Sequence, residues 1–160
     1  MPHDTAALVE ALAAALTARG WMMASAESCT GGLIAGACTD LAGSSDWFER
    51  GFVTYSNAAK SGLLGVPAEL IATHGAVSEP VARAMAAGAV RQAPVQVAVA
   101  VTGVAGPGGG SEAKPVGTVW FGWATPAGVD TECVRFDGDR AAVRQATVAH
   151  ALAGLLQRLR

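Results

Sequence analysis

Residues 95–103 read VQVAVAVTG. A short β-branched run of this kind suits a central strand covered on both faces, because a half-wetted strand would alternate with polar residues along its length. Upstream, Ser78 is a good N-cap with Glu79 and Pro80 in the first turn, so a helix is predicted to about Arg91, with Pro94 marking its exit. Downstream, residues 103–115 form a long Gly/Pro-rich loop. Two β-type runs follow, 116–124 and 131–136, joined through the turn at Pro126–Gly128 and expected to pair antiparallel.

The same alternation of periods runs through the first half of the chain. Asp4 caps a predicted helix over 4–19, where Leu8, Leu12 and Leu16 form a stripe and Gly20 closes the end. A strand over 21–26, a helix over 31–41 and a break at 42–45 come next. Trp47 and Phe48 anchor a short helical turn, and a strand over 51–55 follows. Short helices are expected over 57–64 and 67–73. A final helix from about Asp139 carries Val148, Leu152, Leu155 and Leu159 on one face. Helices alternating with strands predict a three-layer α/β/α sandwich with a mixed, mostly parallel sheet, and residues 1–160 are read as one domain.

Composition narrows the function. The formal net charge is −2 and no block of like charge stands out, which argues against nucleic-acid and membrane-surface binding. The first ten residues, MPHDTAALVE, lack the basic and apolar regions of a secretory signal, and no apolar stretch is long enough to span a bilayer, so a cytoplasmic protein is expected. Cys29, Cys38 and Cys133 are odd in number and form no CxxC pair. They fit neither a disulfide framework nor a zinc site and are read as small buried thiols. Only two lysines, Lys60 and Lys114, stand beside nine arginines. A lysine can lose its proton near neutral pH when buried, which arginine cannot do.

In open α/β sheets, ligands bind beyond the carboxyl ends of the strands. Those ends here are Glu27–Ser28, Tyr55–Ser56–Asn57 and Thr102–Gly103. Thr30, Gly31 and Gly32 open a helix, where free N–H groups can hold an anion. The loop GVAGPGGGSEAKPVG over 103–117 has neither the GxxxxGK[ST] order nor a GxGxxG followed by a helix, so it reads as a closing loop rather than a nucleotide fingerprint. Arg140 and Arg144 lie four apart on one face of the last helix. For a base, His3 lies at the terminus, His150 sits mid-helix and His74 has no obvious acidic partner. That leaves Lys60, which read by itself passes equally for a surface helix lysine. For a nucleophile, residue chemistry leaves Ser28, Ser44, Ser45 and Ser56 open. Ser45 begins a helical turn in GSSDWF and serves either as an N-cap or beside oxyanion-holding N–H groups.

Five stretches taken together are specific: AESCTGG (26–32), LAGSSDWFERGFVTYSNAAK (41–60), HGAVSEPVARAMA (74–86), TGVAGPGGGSEAKPVGTVWFG (102–122) and GDRAAVR (138–144). They resemble the CinA C-terminal domain family across most of the chain. The resemblance is to its stand-alone form, without the molybdopterin-binding-like domain of longer members. It implies a nicotinamide mononucleotide deamidase of pyridine-nucleotide recycling, working by a serine–lysine pair with no metal and no cofactor. It assigns Ser45 as nucleophile and Lys60 as base, with Ser28 the second choice for nucleophile, and Ser28, Tyr55 and Thr102 as further polar positions of the site. The substrate's 5′-phosphate is then expected at Arg140, the end of the last helix and the glycine loop with Gly106, and Thr30, Gly31 and Gly32 are further expected substrate-binding positions. A homo-oligomer without nucleic-acid or membrane partners is implied as well. A binding module tied to DNA uptake and recombination, or an amidase for another nucleotide amide, are the competing readings.

Overall fold

The computed structural model describes residues 4–160. Helix α1 (Thr5–Arg19) leads into strand β1 (Met23–Glu27), then α2 (Leu33–Thr39), a 3-10 turn (Ser44–Asp46) and β2 (Phe48–Val53). Helices α3 (Asn57–Leu64), α4 (Ala68–His74) and α5 (Glu79–Gln92) come next, then β3 (Val97–Gly103), β4 (Thr118–Thr125), β5 (Gly128–Arg135) and α6 (Arg140–Arg158). The caps of α1 are those its sequence predicts. The Asp4 side chain accepts from the Ala6 amide, and Gly20 ends the helix at φ 64.

The strands form one sheet in the order β2-β1-β3-β4-β5. β2, β1 and β3 run parallel, and β4 is antiparallel to both β3 and β5. The sheet is therefore mixed. Four strands point one way, while its four ladders divide evenly between the two kinds. The central run lies at β3, paired on both sides.

Side-chain size sorts the two faces. Toward α1, α2 and α6 the sheet presents Met23, Val97, Val99, Val101, Val119, Phe121 and Trp123. Toward α5 it presents Ala24, Ala26, Ala98, Ala100 and Ala124. The small face lets α5 approach closely: a Cβ on Gly122 would lie 2.6 Å from the Ala82 carbonyl oxygen of α5. Helices thus cover both faces, as the sequence leads one to expect.

One boundary differs. The second strand starts at Phe48 rather than Gly51, and the helical turn precedes Trp47, which is buried beneath it. β2 is an edge strand, so Glu49 and Arg50 extend the ladder while their side chains pair on the solvent side. Because β1, β2 and β3 are parallel, Glu27, Val53 and Gly103 end on the same edge of the sheet.

Candidate active site

Ser28 is the first residue beyond β1, and its amide donates to the Val101 carbonyl of β3 (3.1 Å). Lys60 sits in α3, whose N-cap Ser56 accepts from the Ala59 amide (3.0 Å). The polypeptide between β2 and α3 turns over this edge and sends the Lys60 side chain back under it. Lys60 is 1% exposed. Its Nζ is 3.1 Å from Ser28 Oγ, 3.1 Å from the Thr54 carbonyl and 3.2 Å from the Tyr55 carbonyl.

Among the described residues no carboxylate pairs with Lys60. Burial pushes its pKa down from the ordinary lysine value, against a smaller opposing push from Cys29. A neutral amine has two N–H bonds and one lone pair. Once neutral, Lys60 can give its two hydrogens to the Thr54 and Tyr55 carbonyls and turn its lone pair to the Ser28 hydroxyl, which otherwise reaches the Tyr55 carbonyl at 3.5 Å. This is the arrangement a general base needs. The neighbouring Cys29 thiol is pushed up to about 11 by burial, so it stays protonated at neutral pH.

A cavity of about 300 Å³ opens above this pair. Tyr55, Thr102, Gly106 and Arg140 line it with Ser28 and Lys60. Arg140 spans its mouth, donating from Nη1 to the Gly106 carbonyl (2.8 Å) and from Nη2 to the Tyr55 hydroxyl (3.1 Å). Thr102 donates to the Ala76 carbonyl (2.9 Å) and closes the floor. Arg140 also borders a second cavity of about 670 Å³, with Ala105, Pro107, Arg144 and the start of α6. A further cavity, about 860 Å³, lies between α2 and α6. It holds no nucleophile–base pair and stands apart from this chemistry.

Five of the expected residues, Ser28, Tyr55, Lys60, Thr102 and Arg140, converge here together with Gly106. Ser45 does not. It is exposed on the 3-10 turn that precedes β2. The six residues of β2, at roughly 3.3 Å each, carry the chain about 20 Å from that turn to the rim. Ser45 therefore stands at the opposite edge of the sheet from Lys60. Thr30, Gly31 and Gly32 line neither cavity beside Lys60. The Thr30 hydroxyl is buried and donates to Glu27 Oε1 (2.6 Å), while Gly31 (φ 58) and Gly32 (φ 111) supply the left-handed bends of the turn after Ser28.

His74 ends α4, and its carbonyl holds Lys114 Nζ (2.7 Å). His150 pairs with Glu132 and packs on Phe121. His3 lies outside the described residues. Cys29 and Cys38 are buried thiols as expected, whereas Cys133 is exposed on edge strand β5. Sequence reasoning passed over the Glu27 side chain, wholly buried and bonded to Thr30 and to the amides of Ile34 (2.8 Å) and Ala35 (3.0 Å). It also passed over Arg144 as a partner of the Cys29 and Thr30 carbonyls (3.1 and 3.2 Å). An acid directly before a strand-end serine was the available signal.

The sequence model of the CinA C-terminal domain matches residues 5–159. This chain belongs to the CinA C-terminal domain family. Among family members, it is 56% identical over 153 residues to the nicotinamide-nucleotide amidohydrolase PncC of Escherichia coli K12, covering 94% of this chain and 92% of that protein. It is 59% identical over 132 residues to the protein of the same name from Pseudomonas putida, covering 82% of each. A CinA-like protein of Syntrophobacter fumaroxidans is 56% identical over 137 residues, which are 86% of this chain and 32% of that longer one. The crystal structure of a CinA superfamily protein from Klebsiella pneumoniae superposes with a TM-score of 0.94 at 41% identity, over 98% of both chains. A competence/damage-inducible protein from Agrobacterium tumefaciens gives 0.94 at 48% identity, over 98% of this chain and 96% of that one.

Proposed function

We propose that this CinA-family domain hydrolyses the carboxamide of nicotinamide mononucleotide to nicotinate mononucleotide and ammonia, with Ser28 as nucleophile and Lys60 as base. The observation that carries the mechanism is the 3.1 Å contact between Lys60 Nζ and Ser28 Oγ in a buried setting where, among the described residues, no carboxylate pairs with the amine. The substrate follows from the names of the amidohydrolase relatives in Escherichia coli and Pseudomonas putida. Cytoplasmic pyridine-nucleotide recycling is the setting that this substrate implies.

Ser28 Oγ attacks the carboxamide carbon as its proton passes to Lys60 Nζ. The carbonyl oxygen becomes an oxyanion, for which the amide of Cys29, which lines the cavity directly after Ser28, is the donor at hand. The C–N bond breaks as Lys60 returns the proton to the departing nitrogen, and ammonia leaves. Water then attacks the acyl-enzyme, giving its proton to Lys60, and collapse releases the acid and restores the Ser28 hydroxyl. Arg140, at the mouth of the cavity and beside the second one, meets the substrate's 5′-phosphate in exchange for its bonds to Gly106 and Tyr55.

Ammonia release from nicotinamide mononucleotide tests this with wild type, Ser28→Ala, Lys60→Ala and Ser45→Ala. Activity in wild type and Ser45→Ala, with loss in the other two, is the expected pattern. A folded but inactive wild type overturns the substrate, and an active Ser28→Ala overturns the nucleophile.

A further inference from the structure

The turn that presents Ser28 is held between a buried anion and a cation. On one side Glu27, 0% exposed, accepts from the Thr30 hydroxyl and from the amides of Ile34 and Ala35 (2.6, 2.8 and 3.0 Å). On the other, Arg144 of α6 donates to the carbonyls of Cys29 and Thr30 (3.1 and 3.2 Å). The N–H groups that open α2 therefore meet the carboxylate, and the carbonyls of the turn meet the guanidinium. Each charge is satisfied by peptide dipoles, since neither residue forms an ion pair among the described residues.

Glu27 reaches the base as well as the nucleophile. Its carbonyl accepts from the Thr54 amide (2.8 Å), and the Thr54 carbonyl is one of the two that hold Lys60 Nζ. One residue thus fixes the serine turn through its side chain and the lysine cradle through its backbone. We propose that Glu27 is a positioning residue for the Ser28–Lys60 pair. It lines neither cavity beside the pair and acts through Thr30, Ile34 and Ala35 to keep Ser28 Oγ on the Lys60 lone pair. Removal of the charge leaves the turn's N–H groups facing a side chain that donates as well as accepts, and the serine swings away from the amine.

The proposal rests on the Ser–Lys reading above, and two readouts separate the two. Steady-state ammonia release is measured for wild type, Glu27→Gln and Thr30→Val, together with the rate at which a fluorophosphonate labels Ser28, followed by intact mass. Labelling forms an Oγ–P bond as fluoride leaves and the serine proton passes to Lys60, so it reports the pair without the natural substrate. Glu27→Gln is expected to lower kcat about 30-fold with KM within twofold of wild type, and to slow labelling by a similar factor, while thermal unfolding stays cooperative. Thr30→Val, which leaves the carboxylate and both amide bonds in place, is expected to lower kcat about threefold in the same pattern. It decides the matter by the same criteria should Glu27→Gln not fold.

An unchanged kcat and labelling rate, a rise in KM with kcat intact, or losses that only track the folded fraction overturn the positioning role. Wild-type labelling at Ser28 without ammonia release overturns the proposed substrate and leaves Glu27 to be judged by labelling. Wild type that neither labels at Ser28 nor releases ammonia overturns both.

Discussion

Lys60 Nζ lies 3.1 Å from Ser28 Oγ although the two are 32 residues apart and reach the site from different elements. On the proposed mechanism the lysine's role is chemical rather than electrostatic, because a permanently charged group in the same place has no lone pair to offer. Lys60→Arg keeps the charge and removes the base. Positioned general bases contribute about 10²–10⁴-fold, so kcat for ammonia release is expected to fall by roughly that factor, and Lys60→Met by as much. A Lys60→Arg variant within tenfold of wild type would show that the charge, not the proton transfer, is what matters.

The lowered pKa of Lys60 has a second consequence, in stability. Burial holds the folded-state value below that of the unfolded chain. Between the two values the unfolded chain binds the extra proton, so unfolding is favoured at the acid end of the window and stability rises with pH across it. Activity rises through the lower edge of the same window as the amine becomes neutral. Lys60→Met removes the titration. The variant is expected to lose the pH dependence of its melting temperature in that range and to melt a few degrees above wild type at the acid end, while remaining inactive. Urea denaturation at several pH values measures it, and an identical pH slope in both proteins refutes the linkage.

Much of this was legible before the fold was known, and what was missed has a physical reason. The central strand, the caps of α1 and the rim residues Tyr55, Lys60 and Thr102 follow from local periodicity and from the strand-end rule. The resemblance selected Ser45; the residues alone left it open, because its neighbours look like a helix start and a helix start can hold an oxyanion anywhere. What decides is which edge of the sheet it occupies. A residue before a parallel strand and one after it are a strand length apart, as Ser45 and Lys60 are. Ser28 follows β1, and the strand-end rule named it together with Ser56 without choosing between them. Thr30 shows what sequence leaves open: its hydroxyl turns inward to the buried Glu27 side chain, and no pattern in AESCTGG tells inward from outward.

Gly88 joins the packing of α5 to the placement of the base. A Cβ there would lie 2.1 Å from the Leu64 carbonyl oxygen, at the end of the helix that carries Lys60. Backbone cannot yield as a side chain does. Overpacking of about 1–3 kcal/mol therefore outweighs the roughly 1 kcal/mol that alanine gains over glycine within a helix. Gly88→Ala is expected to lower the melting temperature by a few degrees. As α3 moves away from α5, kcat should fall about tenfold with KM little changed. Calorimetry and steady-state kinetics on one preparation check both, and a stabilised variant would show that α3 shifts freely.

On the proposed function, Arg140 is the residue expected to recognise the substrate phosphate. Its guanidinium is committed to neutral partners, the Gly106 carbonyl and the Tyr55 hydroxyl, and it borders both cavities at the rim. A phosphate is a stronger acceptor than either, so substrate entry exchanges two neutral contacts for a charge-assisted one. Hydrogen bonds to charged groups are worth about 1.5–3 kcal/mol, which sets a rise in KM of roughly 10- to 100-fold for Arg140→Ala. The decisive comparison is between nicotinamide mononucleotide and nicotinamide riboside, which differ only by the phosphate. Wild type is expected to prefer the mononucleotide by that factor in kcat/KM. Arg140→Ala should lose most of the preference by losing the mononucleotide, with the riboside rate nearly unchanged. Arg140→Lys, a point charge without the planar fork, should retain part of it. If Arg140→Ala keeps the wild-type ratio while both rates fall together, the guanidinium serves to hold Tyr55 and the glycine loop in place, and the phosphate is bound elsewhere on the rim, where Arg144 is the next cation to test.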